Sequence, residues 1–322
     1  MKKISVIGCL GIIILFIVIY LQSIVSKRVL NNAKVRTPEN NDIPFSRIAA
    51  VGDILCPNQN LGKPCQEDGI AKLIKDINPQ AILIPGDSQY EKGTYSEYEK
   101  YFESFLGKYK KIIYPSTGNH DYYTPNASGY YDYFNGIGKS DGVAGQRDKG
   151  YYSFEIGNWH IISLNSNCLE IGGCGKDSVQ EKWLLSDLQK NKQLCILTYW
   201  HEPLFSSGPH GNNLNLRDIW KDLYAYKADI VLNGHDHDFE RFKKQDAYGN
   251  EDEKGIREFV IGTGGQLLYR FISNASNSEV RDASSHGVLE LKLYKDKYEW
   301  NFLPVEGDIF KDTGSSACNL KN

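Results

Sequence analysis

The first 36 residues contain no acidic side chain, and from Ile4 to Ser26 there is no charge of either sign. The stretch Ile12–Leu21 (IIILFIVIYL) within it is almost pure hydrocarbon, and the uncharged length can span a bilayer. An A-x-A-like cleavage site is also missing. Its nearest substitute, Ser23–Ser26, is poor, so residues 1–26 read as an uncleaved signal anchor in preference to a secretory signal peptide. Val6-Ile7-Gly8-Cys9 looks like a lipoprotein box, but the apolar run follows the cysteine instead of preceding it, and the match is read as chance. Basic residues on both sides, Lys2 and Lys3 before, Lys27 and Arg28 after, leave the orientation open.

The remainder lacks the basic excess of a nucleic-acid binder. Six of the 37 basic residues lie in the first 36 positions, which leaves 31 basic against 40 acidic side chains, a net of −9. Such a body repels a polyanion, so no nucleic-acid partner is expected and a small phosphorylated substrate fits better. There is no internal repeat and no zinc-finger spacing. With 41% hydrophobic and 24% charged residues, disorder is not the default either. Apart from Cys9, six cysteines remain. Cys56 with Cys65 and Cys168 with Cys174 would each close a short loop rich in small and polar residues, as on an exported surface. Cys195, in an apolar strand, reads equally well as a buried free thiol or as a link to Cys318.

Residues 27–44 are polar, lack periodicity and read as a linker, so the folded body, residues 45–322, begins near Phe45. From there apolar strand-like runs (RIAAV, AILIP, KIIYP, SFEI, HIISL, QLCILTYW, DIVL) alternate with helical patterns. REFVIG, HGVLELKLY and KYEWNFLP follow without helices between them, the pattern of antiparallel strands completing a mixed sheet. Residues 124–150 form a Gly- and Tyr-rich insertion in which Tyr130–Phe134 reads as packing in preference to a substrate mouth.

In open α/β sheets, chemistry sits beyond the carboxyl ends of the strands. Five ends carry metal-ligand residue types: Gly52-Asp53; Gly86-Asp87 with Tyr90; Gly118-Asn119-His120-Asp121; Trp200-His201; and Gly234-His235-Asp236-His237. Glycine precedes four of them, where it lets the chain turn away from the sheet and another group approach closely. Any one alone is weak, since an Asp or His at a strand end is usually a cap or turn residue. Five of the seven histidines, however, lie in these motifs or nine residues after His201, at His210. His160 and His286 are left over and read as structural, as does Arg241, paired with Asp238 or Glu240 nearby. Gly262-Thr263-Gly264-Gly265 reads as a turn rather than a phosphate cradle, because no helix pattern follows.

The ordered set G-D, G-D-x-x-Y, G-N-H-D, lone His and G-H-x-H resembles the calcineurin-like metallophosphoesterases, and among them the purple acid phosphatases. The resemblance covers roughly residues 45 to 310, with no room for the extra N-terminal β-sandwich domain of larger members. It implies an α/β fold, a four-layer α/β/β/α sandwich with mixed sheets, and two metal ions. The first ion would be held by Asp53, Asp87, Tyr90 and His237, and the second by Asp87, Asn119, His201 and His235, with Asp87 as bridge. The common superfamily pattern has a His at position 55, where this chain has Leu55; Tyr90 supplies the missing ligand and points to the Tyr-bearing branch. Three hard anionic oxygens favour Fe³⁺ in site one, while two His and a neutral Asn favour Zn²⁺, Mn²⁺ or Fe²⁺ in site two. The resemblance further implies His120 facing substrate with Asp121 orienting it, and His210 as general acid or phosphate donor. The expected activity is hydrolysis of phosphate monoesters outside the cytoplasm by a metal-bound hydroxide. The alternatives are a phosphodiesterase on the same site, or a tethered binding protein with a vestigial metal site.

Overall fold

A computed structural model of the protein describes residues 45–54 and 66–319. The expected anchor (1–26), the linker, the Cys56–Cys65 pair and Leu55 lie outside the described residues. No helix among the described residues is long and apolar enough to cross a membrane.

Strands β1 (Ser46–Ala50), β2 (Ala81–Pro85) and β3 (Ile113–Ser116) are short, apolar and buried. Runs with no polar face need cover on both sides, and these three pair in parallel, as strands joined by helical crossovers do. Helix α1 (Glu67–Ile77) makes the first crossover; Ile70, Ile74 and Ile77 form one buried stripe, and Asn78 ends it in a left-handed cap. Helices α2 (Tyr95–Glu97) and α3 (Glu103–Leu106) flank a π turn at Tyr98–Phe102 in the second. Helix α4 (Ser128–Phe134) lies inside the expected loop insertion and buries Tyr130, Tyr131, Tyr133 and Phe134 against Tyr98 and Phe102, so this aromatic run packs.

The second half repeats the plan: hairpin β4 (Tyr152–Ile156) and β5 (Trp159–Ser163), helix α5 (Val179–Lys190), β6 (Cys195–Tyr199), helix α6 (Arg217–Ala225), then β7 (Ile230–Asn233), β8 (Phe239–Phe242), β9 (Arg257–Ile261) and β10 (Ser278–Asp282). Strands β11 (Gly287–Leu293), β12 (Lys297–Pro304) and β13 (Thr313–Ala317) complete the order. One mixed sheet runs β13-β12-β11-β1-β2-β3 and the other β10-β8-β9-β7-β6-β5-β4. Three apolar layers hold them: one between the sheets, one between the first sheet and α1, α3 and α4, and one between the second sheet and α5 and α6. This is the expected four-layer α/β/β/α sandwich.

Cys168 is bonded to Cys174, and Cys195 to Cys318, which resolves the open reading of Cys195. The second bond ties β6 of one sheet to the end of β13 of the other across 123 residues of chain. Arg241 is structural, but its partners are not the expected ones. Alternation along β8 turns Asp238 and Glu240 to the opposite face, and the guanidinium instead holds Asp312 (2.7 and 3.0 Å) and Glu279 and lies over Trp300. His286 immediately precedes β11, its ring nitrogen on the Gln266 carbonyl. His160 sits in β5 between Glu155 (Nδ1, 2.9 Å) and Asp187 (Nε2, 2.6 Å). Burial opposes its charge, but the hydrogen bonds to Asp187 and Glu155 outweigh that and lift its pKa to about 9.

Two stability predictions follow from these contacts. Cys318→Ser lowers the unfolding free energy by about 2–4 kcal/mol, read by urea titration of the oxidised protein against the variant. For His160 the folded pKa lies above the unfolded value, so its contribution is fully present below about 6.5 and fades as pH rises through about 9. His160→Asn therefore costs about 1–3 kcal/mol at low pH, and unfolding curves of the two proteins converge once the histidine is neutral.

Candidate metal centre

The parallel strands of both sheets point their carboxyl ends at one place. Asp53 follows β1, Asp87 and Tyr90 follow β2, Asn119 and His120 follow β3, His201 follows β6, and His235 and His237 follow β7. Backbone bonds lace these turns together: Ile54 N–H donates to the Asp87 carbonyl (3.1 Å) and Gly234 N–H to that of His201 (3.0 Å). Asp53, Asp87 and His235 have φ of 57°, 45° and 72°, in the left-handed region that non-glycine residues avoid. Each such residue costs on the order of 1–3 kcal/mol, and three together at one point are the signature of a site built against local preference. Gly118 meets a second constraint, since a Cβ there would fall 2.0 Å from Asp87 Oδ1.

Two clusters overlap at Asp87. In the first, Tyr90 Oη donates to Asp53 Oδ1 (2.8 Å) and lies 3.0 Å from Asp87 Oδ2 and 3.2 Å from His237 Nε2. In the second, His201 Nε2 lies 3.3 Å from Asp87 Oδ2, 3.0 Å from Asn119 Oδ1 and 3.2 Å from His235 Nδ1. All eight ligand positions expected for two ions are thus drawn into two adjoining groups of four. Ligand atoms of Asp53, Asp87 and His201 also lie within 4.8 Å of one another.

The hydrogen bonds behind these atoms decide what the groups can hold. His201 Nδ1 donates to the Pro85 carbonyl (3.0 Å) and His237 Nδ1 to that of Leu267 (3.0 Å), so both turn an Nε2 lone pair inward. Facing them are two carboxylates, an amide oxygen and a second imidazole, with the Tyr90 hydroxyl as a proton source. Such a crowd of lone pairs, buried from water, fits cations. The same groups also shift one another's proton affinities. Burial would lower the His201 pKa, but Asp87 lifts it to about 10; burial would raise Asp87, but His201 holds it well below the usual range. Burial, then the charge on His201 and on His210, push His235 down to about 3. Burial beside Asp53 and Asp87 keeps the Tyr90 phenol protonated.

Around the clusters, His120 donates its backbone N–H to Asp87 Oδ1 (3.0 Å), while its Nδ1 lies 2.7 Å from the Glu91 carbonyl. Asp121 does not orient that ring. Its carboxylate accepts from Gly118 N–H (2.9 Å) and from Tyr98 Oη (2.6 Å), bracing the turn from below, and burial with the nearby Asp87 charge raises its pKa to about 7. Tyr98 is the first residue of the π turn. His210 places its ring 4.1 Å from that of His235 and its Nδ1 2.9 Å from Asp236. Two residues without an expected role join here. Asp236 was visible inside G-H-D-H; Tyr269, stacked on His237 (4.1 Å, 13°), sits in an irregular segment with no local signal. The glycine run 262–265 packs on the first motif, Gly264 N–H donating to the Gly52 carbonyl (3.0 Å) and Gly265 bridging to Ile54, and no helix follows it.

The chain is similar to known proteins in sequence and in fold. The calcineurin-like phosphoesterase family profile matches residues 46–239. Purple acid phosphatase 18 of Arabidopsis thaliana is 31% identical over 159 residues, 46% of this chain and 35% of its own length. Purple acid phosphatase 1 of Ipomoea batatas is 27% identical over 245 residues, 66% of this chain and 50% of its own. The chain thus spans half or less of these relatives. The structure of a purple acid phosphatase from yellow lupin (Lupinus luteus) seeds shares the fold, with a TM-score of 0.70 at 19% identity over 87% of this chain and 55% of that one.

If the turn at Gly118 is what lets Asp87 serve both clusters, Gly118→Ala weakens zinc binding by about 10- to 100-fold in calorimetric titration. Gly175→Ala, where a Cβ meets only Asp218 at 3.7 Å, leaves it unchanged.

Proposed function

This chain belongs to the calcineurin-like phosphoesterase family, and on that premise we propose that it hydrolyses phosphate monoesters at a two-metal centre outside the cytoplasm. The observation that carries the reading is the pair of four-residue clusters sharing Asp87. The disulfides Cys168–Cys174 and Cys195–Cys318 support export, since such bonds persist in oxidising compartments. The uncharged N-terminal stretch supports a membrane anchor for the catalytic body, residues 45–322.

Asp53, Asp87, Tyr90 and His237 are proposed to hold one ion, and Asp87, Asn119, His201 and His235 the other. The first set offers two carboxylates and a phenol, hard oxygens suited to Fe³⁺; the second suits Zn²⁺, Mn²⁺ or Fe²⁺. When bound, such a pair of ions draws in phosphate oxygens, acidifies a water and offsets the charge that builds as the ester breaks. The chain's own side chains supply the rest. Asp53 and Asp87 lie buried at the floor of the site, shielded from bulk water. His120, its Nδ1 occupied by the Glu91 carbonyl, leaves Nε2 for a phosphate oxygen. Asp121 is a positioning residue through Gly118, and half-exposed His210 stands beside the second cluster, where a leaving group would depart.

Purified protein loaded with iron and zinc is expected to cleave aryl monoesters well above aryl diesters; a diester rate that dominates would move the reading to a phosphodiesterase. Iron-loaded protein is also expected to carry a visible charge-transfer band that Tyr90→Phe removes, whereas an unchanged spectrum contradicts the tyrosine ligand.

A further inference from the structure

Asp236 lies between two cluster histidines in sequence, yet it is turned away from the clusters and is fully buried. Its Oδ1 accepts both the backbone N–H of His210 (3.0 Å) and lies 2.9 Å from the Nδ1 of the same residue. Its Oδ2 takes the Ser206 hydroxyl, whose oxygen accepts from Gly208 N–H (2.9 Å). The loop passes flat against the carboxylate, since a Cβ on Gly208 would fall 2.3 Å from Asp236 Cγ. Ser206, Gly208 and His210 are therefore tied to this one buried acid, while Ser207 between them is held by another, Glu240. A clip for the loop alone needs only the backbone N–H and the serine. Holding the imidazole on the same oxygen does something more: it commits Nδ1 and leaves Nε2 as the one ring nitrogen free to act. That ring is 41% exposed, 4.1 Å from the His235 ring and 5.5 Å from Tyr269, so its free edge is at the mouth of the second cluster.

We propose that Asp236 is a positioning residue that fixes His210 Nδ1 as its hydrogen-bond donor and so turns Nε2 toward the leaving-group oxygen of the phosphate ester. This rests on the hydrolytic reading above. In the step itself, a water oxygen bonds to phosphorus and the ester P–O bond breaks with its electron pair on the alcohol oxygen. The proton from His210 Nε2 neutralises that oxygen, and the exposed ring regains a proton from solvent, which receives the one the attacking water loses. A carboxylate behind the donating histidine holds the ring in one orientation through the reaction, as outer partners of site histidines do.

The tests separate placement from chemistry. In metal-free protein, long-range ¹H–¹⁵N spectra, assigned by comparison with His210→Ala, are expected to show His210 protonated at Nδ1; a neutral ring protonated only at Nε2 overturns the proposal without any assay of turnover. In metal-loaded protein, Asp236→Asn is expected to lower kcat about tenfold on alkyl phosphates, whose leaving groups are poor, and by less than about twofold on nitrophenyl phosphate. On a His210→Ala background the same substitution is expected to change kcat by less than about twofold. An equal loss on both backgrounds, or one indifferent to the leaving group, reduces Asp236 to a clip for the loop. If the wild-type protein hydrolyses no phosphate ester, the hydrolytic reading falls by itself, while the spectra still decide which nitrogen Asp236 holds.

Discussion

Asp87 cannot be satisfied by one neighbour. Its carboxylate is buried, its Oδ2 lies within 3.0 Å of Tyr90 Oη and 3.3 Å of His201 Nε2, and its Oδ1 accepts the backbone N–H of His120. Asp53 stands close by, equally buried. Bringing two carboxylates out of water at such spacing costs several kcal/mol each unless positive charge comes with them. His201 and His237 answer that demand, each with Nδ1 bound to a backbone carbonyl and Nε2 turned in. A proton on His201 supplies part of that charge, and the Tyr90 phenol stays neutral; metal ions in the proposed sites would supply more.

The fold exists, from the standpoint of this centre, to bring five strand ends to one point. Neither sheet could do so alone: three ends come from the first and two from the second, and the apolar layer between them fixes their separation. Left-handed backbone at Asp53, Asp87 and His235 opposes the arrangement by about 3–9 kcal/mol in total, on the order of what two or three well-buried core side chains contribute. The same logic places the Cys195–Cys318 bond, which joins the two sheets at the end remote from the site.

Much of this is legible in the chain because buried parallel strands must be continuous apolar runs, and residues placed just after them have one place to go. AILIP and QLCILTYW therefore disclose both their own structure and the addresses of Asp87 and His201. Strands β8, β10 and β13 were not legible: FERF, SEVRD and TGSSA carry charges or small polar groups, and their partners decide their conformation. Side-chain pairing was equally opaque where it is non-local. Arg241 meets Asp312 from 71 residues away. Asp121, next to His120 in sequence, points down to Tyr98 instead, because neighbouring residues in a tight turn diverge. His210 stands out by its spacing and Asp236 by its place inside G-H-D-H, but the bond between them, across 26 residues, belongs to the folded loop.

The two clusters are unlike. One presents two carboxylates, a hydroxyl and one imidazole, the other one carboxylate, an amide and two imidazoles, and the shared acid would make occupancy of either depend on the same side chain. Counting ions tests this most directly, by elemental analysis of the protein after loading with iron and zinc and exhaustive desalting, alongside Asp87→Ala. Two ions per chain are expected in the native protein, and the variant is expected to lose both. One ion or none in the native protein, or a variant that keeps its full complement, would contradict the shared centre.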